Sequence, residues 1–217
     1  MRKPCIQELF IIDQDDQAGR NQSDEVGNKY GWASKEYRNL WTSIRLKDSI
    51  NLIKVEVIIQ TSGWLGADEI GSQSNTTLFM ALQHSNLKTQ EKYLPLMRKA
   101  VTNGKAQPKH LALLEDRVAL RQGKKQIYGS QVSMNNQTNE AFVMPLEDPD
   151  NVDTRRGLVG LPPLAICKCL GHKMGRQAVQ ERFAIYRGEI KKTLRNVIYD
   201  GLTRLGPLVP CVVVRSA

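Results

Sequence analysis

From residue 35 to about residue 60 apolar side chains recur at helical spacing, and this stretch constrains the fold more than any other. Tyr37, Leu40, Trp41 and Ile44 mark one face, and Leu52, Val55, Ile58 and Ile59 continue it. Spacings of three and four place such residues on one stripe of an α-helix, which other elements must cover. Ser34 has the chemistry of an N-cap, although Tyr37 stands where a capping box needs an acid. Ser62-Gly63 stops the helix. The β-branched end, VEVIIQ, also suits a strand, but helix is the expectation.

The flanking segments extend the helical theme. Ile6, Leu9, Phe10 and Asp13 share helical spacing, so a first helix is expected over residues 6–20. Residues 18–32 are polar and punctuated by glycine, which reads as a loop. A connector over 64–71 leads to a short helix over 73–84, with Leu78, Phe79 and Leu82. Residues 88–101 form an amphipathic helix through Tyr93, Leu94, Met97 and Val101, ended by Asn103-Gly104. Gln107-Pro108 opens another helix, with Leu111, Leu114 and Val118 inward, and Gly123 closes it. The period then changes. QIYGSQVS and EAFVMPLE flank the polar MNNQTN, the pattern of a β-hairpin. DPDNVDTRR reads as a turn with one or two helical turns, and GLPPL as an extended stop. The expected fold is mainly α, an orthogonal helical bundle with one small β-hairpin. Residues 1–164 form the helical domain, with the hairpin near 125–147, and residues 165–217 form a basic appendage.

Composition narrows the function classes. The chain has 217 residues, 41% of them apolar, enough for one domain with a real core. No run of eighteen apolar residues exists, so no membrane span is expected. The start, MRKPCIQELFIIDQ, is broken too soon by Gln7, Glu8 and Asp13 for a secretory segment, and a cytoplasmic location is expected. The net charge of +9 is uneven. Residues 165–217 hold ten Lys or Arg against three acids, and the rest hold 21 against 19. With a near-neutral body and no aromatic stacking series, nucleic-acid binding through the tail ranks last. Cys5, Cys167, Cys169 and Cys211 show no disulfide framework and read as free thiols. Cys167 and Cys169 with His172 lack a fourth ligand, so no metal is expected, and no cofactor fingerprint is present.

The polar residues offer three sets. His84 ends one helix, and Asp116-Arg117 lies mid-helix with Asp116 between Leu113 and Leu120. An inward Asp–Arg pair near a His makes a general base with an orienting carboxylate and an anion-binding guanidinium. The same residues also make a buried network that ties helices to the hairpin. On the QIYGSQ strand, alternation sets Gln126, Tyr128 and Ser130 on one face and Ile127, Gly129 and Gln131 on the other. The Tyr128 hydroxyl and the amides of Gln126 and Gln131 would read a ligand, or else form a polar outer face. Gly129 allows close backbone approach or a bulge. Asp148 is an N-cap for the short helix, with Pro149 at its first position. Arg155 or Arg156 would hold a carboxylate or phosphate, or else belong to a solvated face.

Residues 75–164 resemble a family of small bacterial proteins built on a domain of unknown function. The matching pieces are LFMALQHS, Gln90 with YLPLM, LLEDRVAL, GKKQIYGSQ, PLEDPDNVDTRR and GLPPL, in the family's order and spacing. The segment before Asn75, with SGWLG, is similar more loosely. Ser85-Asn86 departs from the acidic residue usual after the QH pair, and the ending AICKCLGHKMGRQ departs from the usual short amphipathic segment. A shifted frame or a fusion near Ala165 would explain that tail, which is then not expected to be family sequence. The resemblance implies fold and site location but no activity. The expected function is thus a helical domain with a polar ligand-binding or hydrolase-like pocket around His84, Asp116 and Tyr128. The partner is then an unknown small molecule. A non-catalytic protein-interaction module, partnered by another protein, is the alternative.

Overall fold

The structure, a computed structural model, describes residues 2–134 and 141–164. Seven helices and one two-stranded antiparallel sheet make up these residues, so the fold is mainly α with a small hairpin. The helices are α1 (Arg2–Tyr30), α2 (Lys35–Ser62), α3 (Ala67–Ile70), α4 (Ser72–His84), α5 (Leu87–Thr102), α6 (Pro108–Arg121) and α7 (Val152–Leu158). The strands are β1 (Val132–Met134) and β2 (Ala141–Val143), with Ser133 opposite Phe142. No described helix is long and apolar enough to cross a membrane. The tail residues Cys167, Cys169 and His172 lie outside the described residues, as does the rest of 165–217.

The central element is α4, which touches α1, α2, α3, α5 and α6. Its Leu78, Phe79, Ala81 and Leu82 are buried, and so are Ser74, Asn75, Thr77 and Gln83. A helix buried on nearly every side must satisfy its polar groups internally. Asn75 does so by donating to the carbonyls of Leu65 at 2.7 Å and Lys105 at 2.8 Å, which pins two connectors. Leu9 and Ile12 of α1, Val55 of α2, Met97 of α5 and Leu114 of α6 close the core around it.

Where α2 was expected, it forms. Ser34 caps it by accepting from the Tyr37 amide at 3.1 Å, and VEVIIQ is helical. The first helix corrects the sequence reading, because it runs on through residues 18–30, where a loop was expected. Gly19 and Gly27 are contact points rather than breakers. A Cβ at Gly19 would lie 2.6 Å from Ile44 Cγ1, and one at Gly27 would lie 2.5 Å from the Trp32 ring. Close packing of α2 and Trp32 outweighs the roughly 1 kcal/mol that each helical glycine costs. The connector after Trp64 also holds a helical turn, α3, that its sequence did not announce.

The QIYGSQ segment is a second correction. It is not a strand, and its faces do not alternate. Only Gln126 makes a bridge, parallel, to Leu146, and pairing of the hairpin starts at Val132. Gly129 has φ +64°, and Leu164 of GLPPL packs 3.1 Å from where its Cβ would be. The N-cap expected at Asp148 is a third. Asp148 sits before Pro149 but is left-handed (φ 42°), and its side chain caps nothing. Its carboxylate instead takes Arg155 Nη1 and Asn151 Nδ2, each at 3.0 Å.

Candidate active site

Asp116 and Arg117 make different contacts from α6: Asp116 binds the 126–131 loop, and Arg117 links that loop to the end of α4. Asp116 is fully buried. Its carboxylate accepts the amides of Ile127 (2.7 Å), Tyr128 (2.9 Å) and Ser130 (2.9 Å). Three converging N–H groups bend the backbone around one anion, which is why QIYGSQ cannot be a strand. Gln126 completes the wrap: its Nε2 donates to the carbonyls of Gln131 and Met144, and its Oε1 accepts the Gln131 amide, all at 2.9 Å. Arg156, buried, donates to the carbonyls of Tyr128 at 2.6 Å and Pro162 at 2.5 Å. Arg155 donates to Ile127 O at 3.0 Å. Burial, with the charges of Glu115 and Asp116, raises the Tyr128 phenol above its ordinary value.

His84 stands at the C-terminal end of α4 and meets a different carboxylate. Its Nδ1 is 2.7 Å from Oδ1 of Asp16, a buried residue of α1. Arg20, one turn on, lies 3.1 Å from the same oxygen and grips Asp48 of α2 through Nη1 (3.0 Å) and Nη2 (2.8 Å). Burial pushes the Asp16 carboxyl up, but the hydrogen bond and charge of His84, with the charge of Arg20, prevail and hold it below the ordinary value. His84 Nε2 has no hydrogen-bond partner among the described residues.

Two arginines of α6 close the other side. Arg117 donates from Nη1 to Gln83 O at 2.7 Å and from Nε to Gln131 Oε1 at 3.0 Å. Arg121 donates from Nη1 to Ser85 O at 2.8 Å and to Gln90 Oε1 at 2.9 Å. The carbonyls of Gln83 and of the C-cap Ser85 lie at the end of α4, where they lack helical partners and form the negative end of its dipole. Burial, with the nearby charges of Arg121 and Arg20, lowers the Arg117 guanidinium from its ordinary value. An open cleft of about 320 Å³ adjoins the group, lined in part by Arg45, Asp48, Ser49, His84, Asn86 and Arg121.

Of the residues singled out from sequence, His84 and Arg117 thus meet the end of α4, while Asp116, Gln126, Tyr128 and Arg156 hold the 126–131 loop. Gln131 joins the two, its main chain bonded to Gln126 and its side chain accepting from Arg117. The carboxylate at His84 is Asp16 rather than Asp116. Asp16, Arg20 and Asp48 were missed, although a signal existed. Leu9, Ile12 and Asp16 stand at i, i+3 and i+7, so Asp16 continues the buried face that the reading ended at Asp13. Ligand atoms of Asp16, Asp48 and His84 lie within 4.8 Å of one another, a metal-like grouping. The fit to a metal ion is poor, because the Arg20 guanidinium already supplies the cation between the two carboxylates.

A family model matches residues 4–175, and its description is a family of unknown function, DUF6624. The chain belongs to that family. Family membership therefore begins within α1, well before the segment that carries the resemblance, so Asp16, Arg20, Asp48 and His84 all fall inside the DUF6624 match. The match also runs past Ala165 into the tail. No curated protein and no solved structure matches the chain.

Proposed function

We propose that this DUF6624 protein binds a small polar ligand in the cleft at His84 and uses the Asp16–His84 pair for acid–base chemistry, hydrolysis being the least demanding use. One observation carries the reading: a buried carboxylate holds Nδ1 of His84, which lines an open cleft and whose Nε2 has no hydrogen-bond partner among the described residues. A carboxylate on Nδ1 fixes the tautomer that leaves the Nε2 lone pair free, and it stabilises the imidazolium that forms when Nε2 accepts a proton. Arg20 keeps Asp16 ionised and in place. In this reading His84 is the base and Asp16 the positioning residue, the role the sequence suggested for Asp116. Arg117 and Gln131 support the α4 end, and Asp116, Gln126, Tyr128 and Arg156 act through the loop.

A thermal-shift screen of small polar metabolites tests this. A ligand at a hundred times its Kd contributes about 2.7 kcal/mol, or roughly 5–10 °C for a chain this size. The shift should vanish in His84→Ala and shrink in Asp16→Asn. Hits that survive in both variants would move the site elsewhere.

A second reading, the interaction module, has its own observation. Leu46, Ile50, Ile53 and Val57 are exposed along the outer face of α2. Their spacing of four, three and four is a coiled-coil seam. It is also self-complementary: an antiparallel second copy sets Leu46 on Val57 and Ile50 on Ile53. Light scattering should then show a dimer that Ile50→Glu with Ile53→Glu converts to a folded monomer. A monomer before substitution rejects this reading.

A further inference from the structure

The charges around His84 do not balance. Four guanidiniums converge there, from Arg20, Arg45, Arg117 and Arg121, against two carboxylates, Asp16 and Asp48. Arg20 occupies both carboxylates, and His84 shares Asp16. The other three arginines have no carboxylate within 4.0 Å among the described residues, and every acceptor they reach is neutral. Arg45 reaches only the Thr42 hydroxyl, at 3.2 Å. Arg117 and Arg121 reach main-chain carbonyls and glutamine amides. Four positive charges less two negative leaves two to be met.

We propose that the ligand of the His84 cleft carries a phosphate group, held by Arg121 of α6 and Arg45 of α2, which line the cleft together with His84. This rests on the acid–base reading for its location and adds the chemical class. Arg121 and Arg45 both line the cleft, as does Asn86, whose Nδ2 has no hydrogen-bond partner among the described residues. Asp48 lines it too, but its two oxygens face Arg20, so it repels an incoming anion less than a free carboxylate would. Capping the end of α4 explains one donor each of Arg117 and Arg121. It does not explain Arg45, nor why three guanidiniums are gathered where like charges repel. The same caps hold Arg121 in place before a ligand arrives, so little side-chain entropy remains to be lost on binding. A planar guanidinium with unused N–H groups matches the edge of a phosphate. The small cleft suits a small phosphate ester or free phosphate better than a large cofactor.

Calorimetry at fixed ionic strength tests this with three probes, inorganic phosphate, glycerol phosphate and glycerol. Either phosphate should bind and glycerol should not, and whichever phosphate binds tighter tells the free ion from an ester. Arg121→Gln and Arg45→Gln should each weaken binding about ten- to hundredfold, the worth of one charge-assisted contact. Arg45→Gln is the safer variant, since it disturbs one exposed contact. Equal affinity in Arg45→Gln and wild type, or heat no larger than that from matched chloride, overturns the proposal. If phosphates fail while neutral metabolites stabilise the protein through His84, the anion assignment is wrong and the acid–base reading stands. If phosphates bind through the arginines but Nε2 of His84 keeps the same NMR shift, the ligand does not reach the imidazole, and the proposed placement is wrong.

Discussion

Asp116→Asn is expected to destabilise the fold by about 4 kcal/mol while changing the side chain by a single atom. The carboxylate is fully buried and accepts three main-chain N–H groups. The amide keeps one acceptor and turns a donor toward N–H groups that are themselves donors. Hydrogen bonds to a charged acceptor contribute roughly 1.5–3 kcal/mol each, and an orphaned buried amide costs the desolvation as well. A typical domain is stable by about 5–15 kcal/mol, so the loss is a large share. Chemical denaturation measures it, with Glu115→Gln as the control, because Glu115 only pairs with an exposed Arg98 and should cost under about 1 kcal/mol. Hydrogen exchange adds a local readout: the amides of Ile127, Tyr128 and Ser130 should lose protection first. A loss no greater than in the control would mean the loop is held by Gln126 and the arginines instead.

Acid should weaken the protein well before its carboxylates titrate, and His110 is the reason. His110, in the first turn of α6, stacks on Phe79 with ring centroids 4.4 Å apart and planes 7° from parallel. Burial first, and the charge of Lys109 second, lower its pKa to about 4 from 6.5. The fold thus prefers the neutral ring. As pH falls below 6.5 the unfolded chain takes a proton that the folded chain refuses, so stability drops until about pH 4 and then levels off. At about 1.4 kcal/mol per unit, that window is worth roughly 3 kcal/mol. His110→Phe keeps a flat ring against Phe79 and should remove most of the loss between pH 7 and 4. Asp16 acts in a separate window. Its carboxyl is held below the ordinary value, so its contribution is whole above that value and fades only at lower pH. Parallel decline of wild type and His110→Phe from pH 7 to 4 would show that other groups carry the acid limb.

Apart from the single turn of α3, the helices after Ser34 were legible because their period, caps and stops agree locally. Ser34, Pro108 and Gly123 act within a few residues of themselves, and apolar stripes such as Tyr93, Leu94 and Met97 need no knowledge of what covers them. The chain from residue 18 to 30 was illegible for the opposite reason. Gly19 is packed in a helix against Ile44 of α2, a contact no local window shows, and Trp32, although close to Gly27 in sequence, reaches it only by folding back after the helix has ended. The QIYGSQ segment shows the same effect in reverse. Its alternation is that of a strand, yet a carboxylate ten residues upstream captures its amides.

The same division holds for the candidate site. The sequence alone picked out His84 as an imidazole at a helix end and Arg117 beside an inward acid, since helical phase sets which side chains leave the surface. It could not choose which carboxylate His84 meets. Asp16 and Asp116 both continue buried stripes, and the choice between them is fixed by how α1 lies along α4. That packing is a long-range balance of apolar burial and glycine-permitted approach, which no local pattern encodes. Pairing of distant charges therefore belongs to the tertiary structure, while the elements that carry them belong to the sequence.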